Sequence, residues 1–220
     1  MTQRMHHATG RRQVRTLGAL MIAATAFVVP ASASADAPTA SRGPAAASPA
    51  PAVDPVAEAV PIQGSDLVRG KAKIVVHAPM HLVRQRILAF NEYAEFMPHY
   101  NRSKDLGRGK NGSRNVYMEV YALRGAARMW ARMSVAKAQW SNGVQTYDVS
   151  FIEGNVRDFH ATWRMRQVDP AHTELELEVF LQPKLPLPAS LLNRENMEGA
   201  VKGVVAMRNR IEQSRQVARR

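Results

Sequence analysis

The sequence predicts an α+β domain: an antiparallel sheet built as a meander, one long C-terminal helix packed on it, and two short helices after the first strand. Three observations carry this. Runs between Asn115 and Leu181 alternate in apolar and polar character with period two, and Gly, Asn-Gly or Asp-Pro turn signals divide them. An earlier β-branched run stops at Pro79 and gives way to helical spacing. From about Ala189 to Gln216 an apolar stripe recurs at steps of three and four.

Taken in order, residues 1–16 hold Arg4, Arg11, Arg12 and Arg15 and no acid, and Leu17 to Val29 is uncharged. That run is shorter than the roughly 20 apolar residues a hydrocarbon core requires. Ala33-Ser34-Ala35 then offers a small-residue cleavage site, so residues 1–35 read as a secretory signal peptide. The chain is therefore expected to be exported, to the periplasm or the medium. Residues 36–62, with Pro38, Pro44, Pro49, Pro51, Pro55 and Pro61 among Ala, Ser and Thr, read as a disordered linker holding neither helix nor ladder. Residues 63–220 are left as one folded domain, long enough to bury a single core.

Within that domain Lys71–Ala78 is the first strand, and Pro79 opens a helix on which Val83, Ile87 and Phe90 share a face. A second short helix is expected at Glu92–Met97, ended by Pro98. Strands follow at Asn115–Leu123, Arg128–Val135, Gln145–Phe151, Asp158–Met165 and Thr173–Leu181. In the last pair Phe159, Ala161, Trp163 and Met165 face one way with Leu175, Leu177, Val179 and Leu181. Arg164 and Arg166 meet Glu174, Glu176 and Glu178 on the other face. The final helix carries Met197, Ala200, Val204, Met207 and Ile211 as its stripe, with Gly199 and Gly203 inside it. Glycine costs about 1 kcal/mol relative to alanine there, so these two predict close packing or empty volume between helix and sheet.

Composition removes several functions. The absence of cysteine excludes disulfide scaffolds, thiolate metal centres and a thiol nucleophile. His77 and His81 are separated by Pro79 at a strand-to-helix junction and do not share a face, so no metal site is predicted. The GRGKNG segment at 107–112 lies between strands and reads as a hairpin loop rather than a phosphate cradle. No cofactor motif and no nucleic-acid motif is present. The 30 basic residues fall to 26 without the four arginines of the leader, against 18 acidic ones. Part of this excess sits at Arg208, Arg210, Arg215, Arg219 and Arg220, which would either meet an anionic membrane surface or simply cap a helix end.

The order of elements is the helix-grip arrangement, and the residues resemble the START-like superfamily, including its polyketide cyclase/dehydrase and coenzyme-Q-binding families. The resemblance is carried by Ile74–Tyr100 (IVVHAPMHLVRQRILAFNEYAEFMPHY), Phe159–Met165 with Trp163, Thr173–Pro183 and Leu185–Leu192 (LPLPASLL). It implies a curved sheet wrapped around the long helix and a cavity between them for a hydrophobic ligand: a lipid, an isoprenoid quinone or a polyketide-like molecule. Such a scaffold does not by itself choose a function.

The candidate ligand-binding residues are Met129, Met133, Phe159, Trp163, Leu177, Val179, Met197, Val204 and Met207. Tyr117 and Glu119 join them if their face of the strand points inward, a choice the alternation leaves open. Three functions stay open: a non-catalytic carrier of a hydrophobic ligand, a cyclase or dehydratase using Glu119, Tyr117 or Tyr147 as acid–base groups, and a cavity-free interaction module. For the carrier, the Leu185–Pro188 segment and the second short helix, with Phe96, Met97 and Tyr100, would form a mobile rim able to touch a membrane.

Overall fold

The computed structural model describes residues 54–122 and 125–217. The elements are β1 (Val56–Pro61), β2 (Val68–Val76), α1 (Met80–Ile87), a 3₁₀ turn at Phe90–Glu92 leading into α2 (Tyr93–Phe96), β3 (Tyr100–Arg108), β4 (Arg114–Ala122), β5 (Ala127–Val135), β6 (Gln139–Ser141), β7 (Val144–Gly154), β8 (Val156–Asp169), β9 (His172–Pro183) and α3 (Ala189–Val217). The strands form one curved antiparallel sheet in the order β1-β2-β9-β8-β7-β5-β4-β3, with β6 hydrogen-bonded to β7 off this path. This is the helix-grip fold. The helices α1 and α2 stand where the Pro79 switch places them, and α3 lies on the sheet through Leu192, Asn196, Ala200, Gly203, Val204, Met207 and Ile211.

Alternation fixes the register. Leu175, Leu177 and Val179 of β9 lie opposite Met165, Trp163 and Ala161 of β8. On the outer face Arg164 meets Glu176 at 2.8 Å and Glu178 at 3.1 Å, and Arg166 meets Glu174 at 3.1 Å. The β2 lysines and Arg69 extend this ladder, with Arg69 at 3.0 Å from Glu178 and Lys73 at 3.5 Å from Glu174. Burial alone would raise the Glu178 carboxyl, but the Arg69 and Arg164 hydrogen bonds outweigh it and hold the group below its ordinary range.

Three strands depart from the sequence expectation. β1 falls inside the segment expected to be linker and pairs with β2 from Val56↔Lys73 to Pro61↔Val68. An edge strand needs backbone partners on one side only, so prolines at its ends are tolerated. Residues 36–53 of that linker and the leader lie outside the described residues. β3 (YNRSKDLGR) has no apolar alternation because it is the other edge, and only Ser103 is buried along it. β6 is three residues long, joined to β7 by an Asn142-Gly143 turn with φ of 49° and 76°, as a tight hairpin requires.

Two close approaches lock α3 to the sheet. A Cβ on Gly70 of β2 would stand 2.0 Å from the Asn196 carbonyl oxygen, so only glycine lets strand and helix backbones meet there. Beyond this point the β2–β9 ladder, which runs from Gly70↔Val179 to Val76↔Thr173, has ended. The buried Asn196 side chain takes over as a bridge, accepting from Leu181 N at 2.9 Å and donating to Val68 O at 3.1 Å. Asn193 accepts from Val68 N at 2.9 Å and donates to Asp66 O at 2.9 Å.

Candidate ligand cavity

A cavity of about 210 Å³ lies between the sheet and the first half of α3. Its sheet wall is Met118 and Val120 of β4, Met129, Ala131 and Met133 of β5, Val156, Phe159 and Trp163 of β8, and Leu177, Val179 and Leu181 of β9. The strand period dictates this set on β4, β5 and β9, where each side chain follows its neighbour by two residues on one face; on β8 a register irregularity between Val156 and Asp158 separates Val156 from Phe159 and Trp163. Leu192, Asn196, Gly199 and Gly203 form the helix wall, at helical spacing. Met97, Pro98, His99 and Tyr100, at the α2–β3 junction, and Leu187, before α3, close the ends. With Met97, Met118, Met129 and Met133 the wall is rich in thioethers, which adapt to varied apolar shapes.

The two helix glycines play different parts here. At Gly199 a Cβ would meet nothing nearer than Val179 Cγ1 at 3.9 Å, so the position is open. At Gly203 a Cβ would come within 2.6 Å of Leu177 Cδ2, so this glycine admits the strand side chain. Further along α3, Val204, Met207 and Ile211 are fully packed against the core. The same helix thus leaves a void with its first half and seals the core with its second.

Of the residues named from the sequence, Met129, Met133, Phe159, Trp163, Leu177 and Val179 line the cavity. Val204 and Met207 face the sheet but are packed core, and Met197 is half-buried away from the lining. The stripe turned to the cavity is the glycine-bearing one, Leu192, Asn196, Gly199 and Gly203, rotated from that of Val204, Met207 and Ile211. Tyr117 and Glu119 lie on the opposite face of β4, because Val116, Met118 and Val120 are the residues that point inward. Glu119 is nonetheless only 2% exposed. It accepts hydrogen bonds from Asn101 Nδ2 and from Tyr117 Oη, the latter at 3.0 Å, with Arg128 Nε at 3.7 Å. The Asn101 bond, aided by the others, holds the carboxyl below its ordinary value against burial. Tyr147 does point inward, but it sits in the packed core away from the lining, its hydroxyl raised by burial.

The polar groups that border the cavity are other ones. Glu195 and Lys202 lie two turns apart on α3, and His99 stands across from the helix with φ of 68°. Lys202 is paired with Glu198 at 2.8 Å, while Glu195 makes no ion pair among the described residues. Tyr100 is a neutral hydroxyl, pushed up to about 12 by burial. Helical spacing from Gly199 was the signal that could have reached Glu195 and Asn196; nothing in the sequence marked His99. Among the described residues no group of three or more His, Asp or Glu side chains is placed to hold a metal. Of the residues expected to form a rim, Met97, Tyr100 and Leu187 border the cavity and Phe96 does not. Of the basic tail, Arg210 is engaged with Glu92 at 3.3 Å, Glu95 at 2.7 Å and the ring of Phe96, one of those expected rim residues, while Arg219 and Arg220 lie outside the described residues. Arg215 donates to the His77 carbonyl.

A sheet gripping a helix around an apolar void defines the class, and the sequence defines the family. The chain belongs to the polyketide cyclase/dehydrase and lipid transport family, whose model matches residues 76–195, more than half of the chain. No curated protein matches the sequence. Its fold is similar to human STARD10 (TM-score 0.63, 9% identity, covering 76% of this chain and 73% of that one). It is also similar to a STAR-related lipid transfer protein from Xanthomonas axonopodis (0.62, 14%, 72% and 93%). A START superfamily protein from Mycobacterium smegmatis is a third (0.56, 18%, 65% and 96%).

Proposed function

We propose that this chain is an exported, non-catalytic binder that holds one hydrophobic ligand between the sheet and α3. The observation that carries this is the apolar cavity between sheet and α3, which Gly199 leaves open on the helix side. A glycine in a helix interior is costly, and at 199 it keeps open a space that a large side chain would enter. The family's association with lipid transport and polyketides agrees with an apolar occupant. Volume narrows the class. About 210 Å³ exceeds the roughly 150 Å³ cavity that admits benzene and falls short of the roughly 300–1,000 Å³ of drug-sized sites. A single ring system or one chain segment fits, such as the ring of an isoprenoid quinone or one acyl tail; a whole two-chain lipid does not. Glu195, Lys202 and His99 would meet the polar end at the opening. The acid–base reading loses support, because Tyr117 and Glu119 are on the outer face and Tyr147 is away from the cavity.

The test is native mass spectrometry of the full chain recovered from the periplasm of an expressing bacterium without detergent. The expected result is an N-terminus at Asp36 and a discrete added mass that disappears on denaturation and extracts into organic solvent. Gly199→Phe, which projects a ring into the void, should be folded and lack that mass. A clean apo mass that persists after incubation with a quinone and with a fatty acid would overturn ligand binding. An intact Met1, found only in the cytoplasm, would overturn export.

A further inference from the structure

The outer face of the sheet is not uniform. Across β2, β9 and β8 the cations Arg69, Lys73, Arg164 and Arg166 each have a glutamate within 3.5 Å. Across β3, β4 and β5 the pattern changes. Arg102, Glu119 and Trp130 share one register row, and Lys104, Tyr117 and Arg132 the next. Arg102 and Lys104 are exposed and make no ion pair among the described residues. Arg128, with a side chain 63% exposed, has the buried Glu119, at 3.7 Å, as its one ion-pair partner among the described residues. Arg132 pairs with Glu153 at 2.6 Å and leaves its Nε without a partner. Between these cations Tyr117 and Trp130 are stacked, 6.0 Å apart at 25°. The Glu119 carboxylate beneath them is hidden from solvent, bonded to Asn101 and Tyr117 and attracted to Arg128 and Arg102; it offsets one of the patch's positive charges and leaves an excess of cations at the surface.

This face runs into the cavity opening. Tyr121, the cross-strand partner of Arg128, is 41% exposed and also borders the cavity. Leu185, beside the lining residue Leu187, is 49% exposed. Interleaved cations and amphipathic rings, continuous with an apolar opening, suit an interface that is anionic at its surface and apolar beneath it. We propose that the β3–β5 outer face and the adjoining cavity border at Tyr121 and Leu185 dock on an anionic lipid bilayer. The inference rests on the proposed function in one respect: an apolar ligand needs an apolar phase at the opening.

The experiment is co-sedimentation of the whole chain with vesicles of phosphatidylcholine alone and with phosphatidylglycerol added. The patch variant is Arg102→Gln, Lys104→Gln and Arg128→Gln together. A control with the same charge change carries Arg69→Gln, Lys71→Gln and Lys73→Gln on the other half of the sheet. Each cation lost from an anionic surface weakens binding roughly fivefold, so the patch variant should bind anionic vesicles more than tenfold more weakly and the control less than threefold. Wild-type affinity should fall steeply between about 0.1 M and 0.5 M salt. Far-UV circular dichroism confirms that all three chains are folded; should the patch variant unfold, the salt dependence and the control carry the test. Equal losses in both variants, or equal binding to neutral and anionic vesicles, would overturn the docking face. Tighter, patch-dependent binding of a single-stranded oligonucleotide would overturn it in favour of nucleic acid. Ligand retained by a wild type that ignores vesicles would sink this proposal alone; ligand absent from every variant would sink the cavity reading.

Discussion

Glu119 shows how a single residue can mislead a sequence reading and still matter. Its strand sets Tyr117, Glu119 and Tyr121 against Val116, Met118 and Val120, a pattern that leaves the inward face open, and the glutamate sits on the outer one. Alternation does not say that Asn101, from the neighbouring edge strand, will reach over and bury it. A carboxylate held below its ordinary value of 4.5 stabilises the fold above that pH, and the contribution is lost as pH falls through the depressed folded value. Glu119→Gln should therefore cost about 1.5–3 kcal/mol at pH 7, the range for a hydrogen bond to a charged group. The difference from wild type should shrink as pH falls below about 4. Urea unfolding of both proteins at pH 7, 5 and 3.5 checks this. A cost that stays constant across that range would mean that packing, and not the carboxylate's charge, is what Glu119 supplies.

Elements were legible where one face is buried and illegible where none is. β8 and β9 present unbroken alternation because their inner faces line core and cavity and their outer faces pair charge with charge. β3, β1 and β6 bury little, so no pattern marks them. For α3 the stripe through Ala200, Val204, Met207 and Ile211 announced a packed helix, and the glycines announced that part of it was different. What spacing could not supply was the rotation of the first half, which Asn193 and Asn196 set by bonding the frayed end of the β2–β9 ladder. The crossing also needs Gly70. Gly70→Ala pushes a methyl into the Asn196 carbonyl, which belongs to backbone and cannot swing aside. The expected loss is about 3 kcal/mol or more, as for other overpacked sites. Gly199→Ala, in open space on the same helix, should gain up to about 1 kcal/mol. Chemical denaturation of the two variants measures both; a Gly70→Ala protein as stable as wild type would show that β2 and α3 can separate at little cost.

At the scale of the whole molecule, the order of the sheet decides where the domain begins. β2, the first strand found by pattern, is an interior strand that pairs with β9 on one side and β1 on the other. A chain started at Gln63, the boundary composition suggests, would lose β1 and leave the β2 edge bare from Val68 to Lys73. That edge alternates intermediate and buried residues, and unpaired edges of this kind recruit other strands. Most of β1 is exposed, and Lys71, raised above its ordinary value by its hydrogen bond to Glu58, is one of the few charged links to it. The direct loss of stability should thus be modest, about 2 kcal/mol from ladder hydrogen bonds, or roughly 4–8 °C in melting temperature for a domain of this size. Association should be the larger effect. Gel filtration of chains starting at residue 54 and residue 63 should show the longer one at its monomer position and the shorter one shifted to dimers and larger species as concentration rises. Identical elution and melting for the two would mean that β1 only lies against the sheet, and that the folded unit begins at β2 after all.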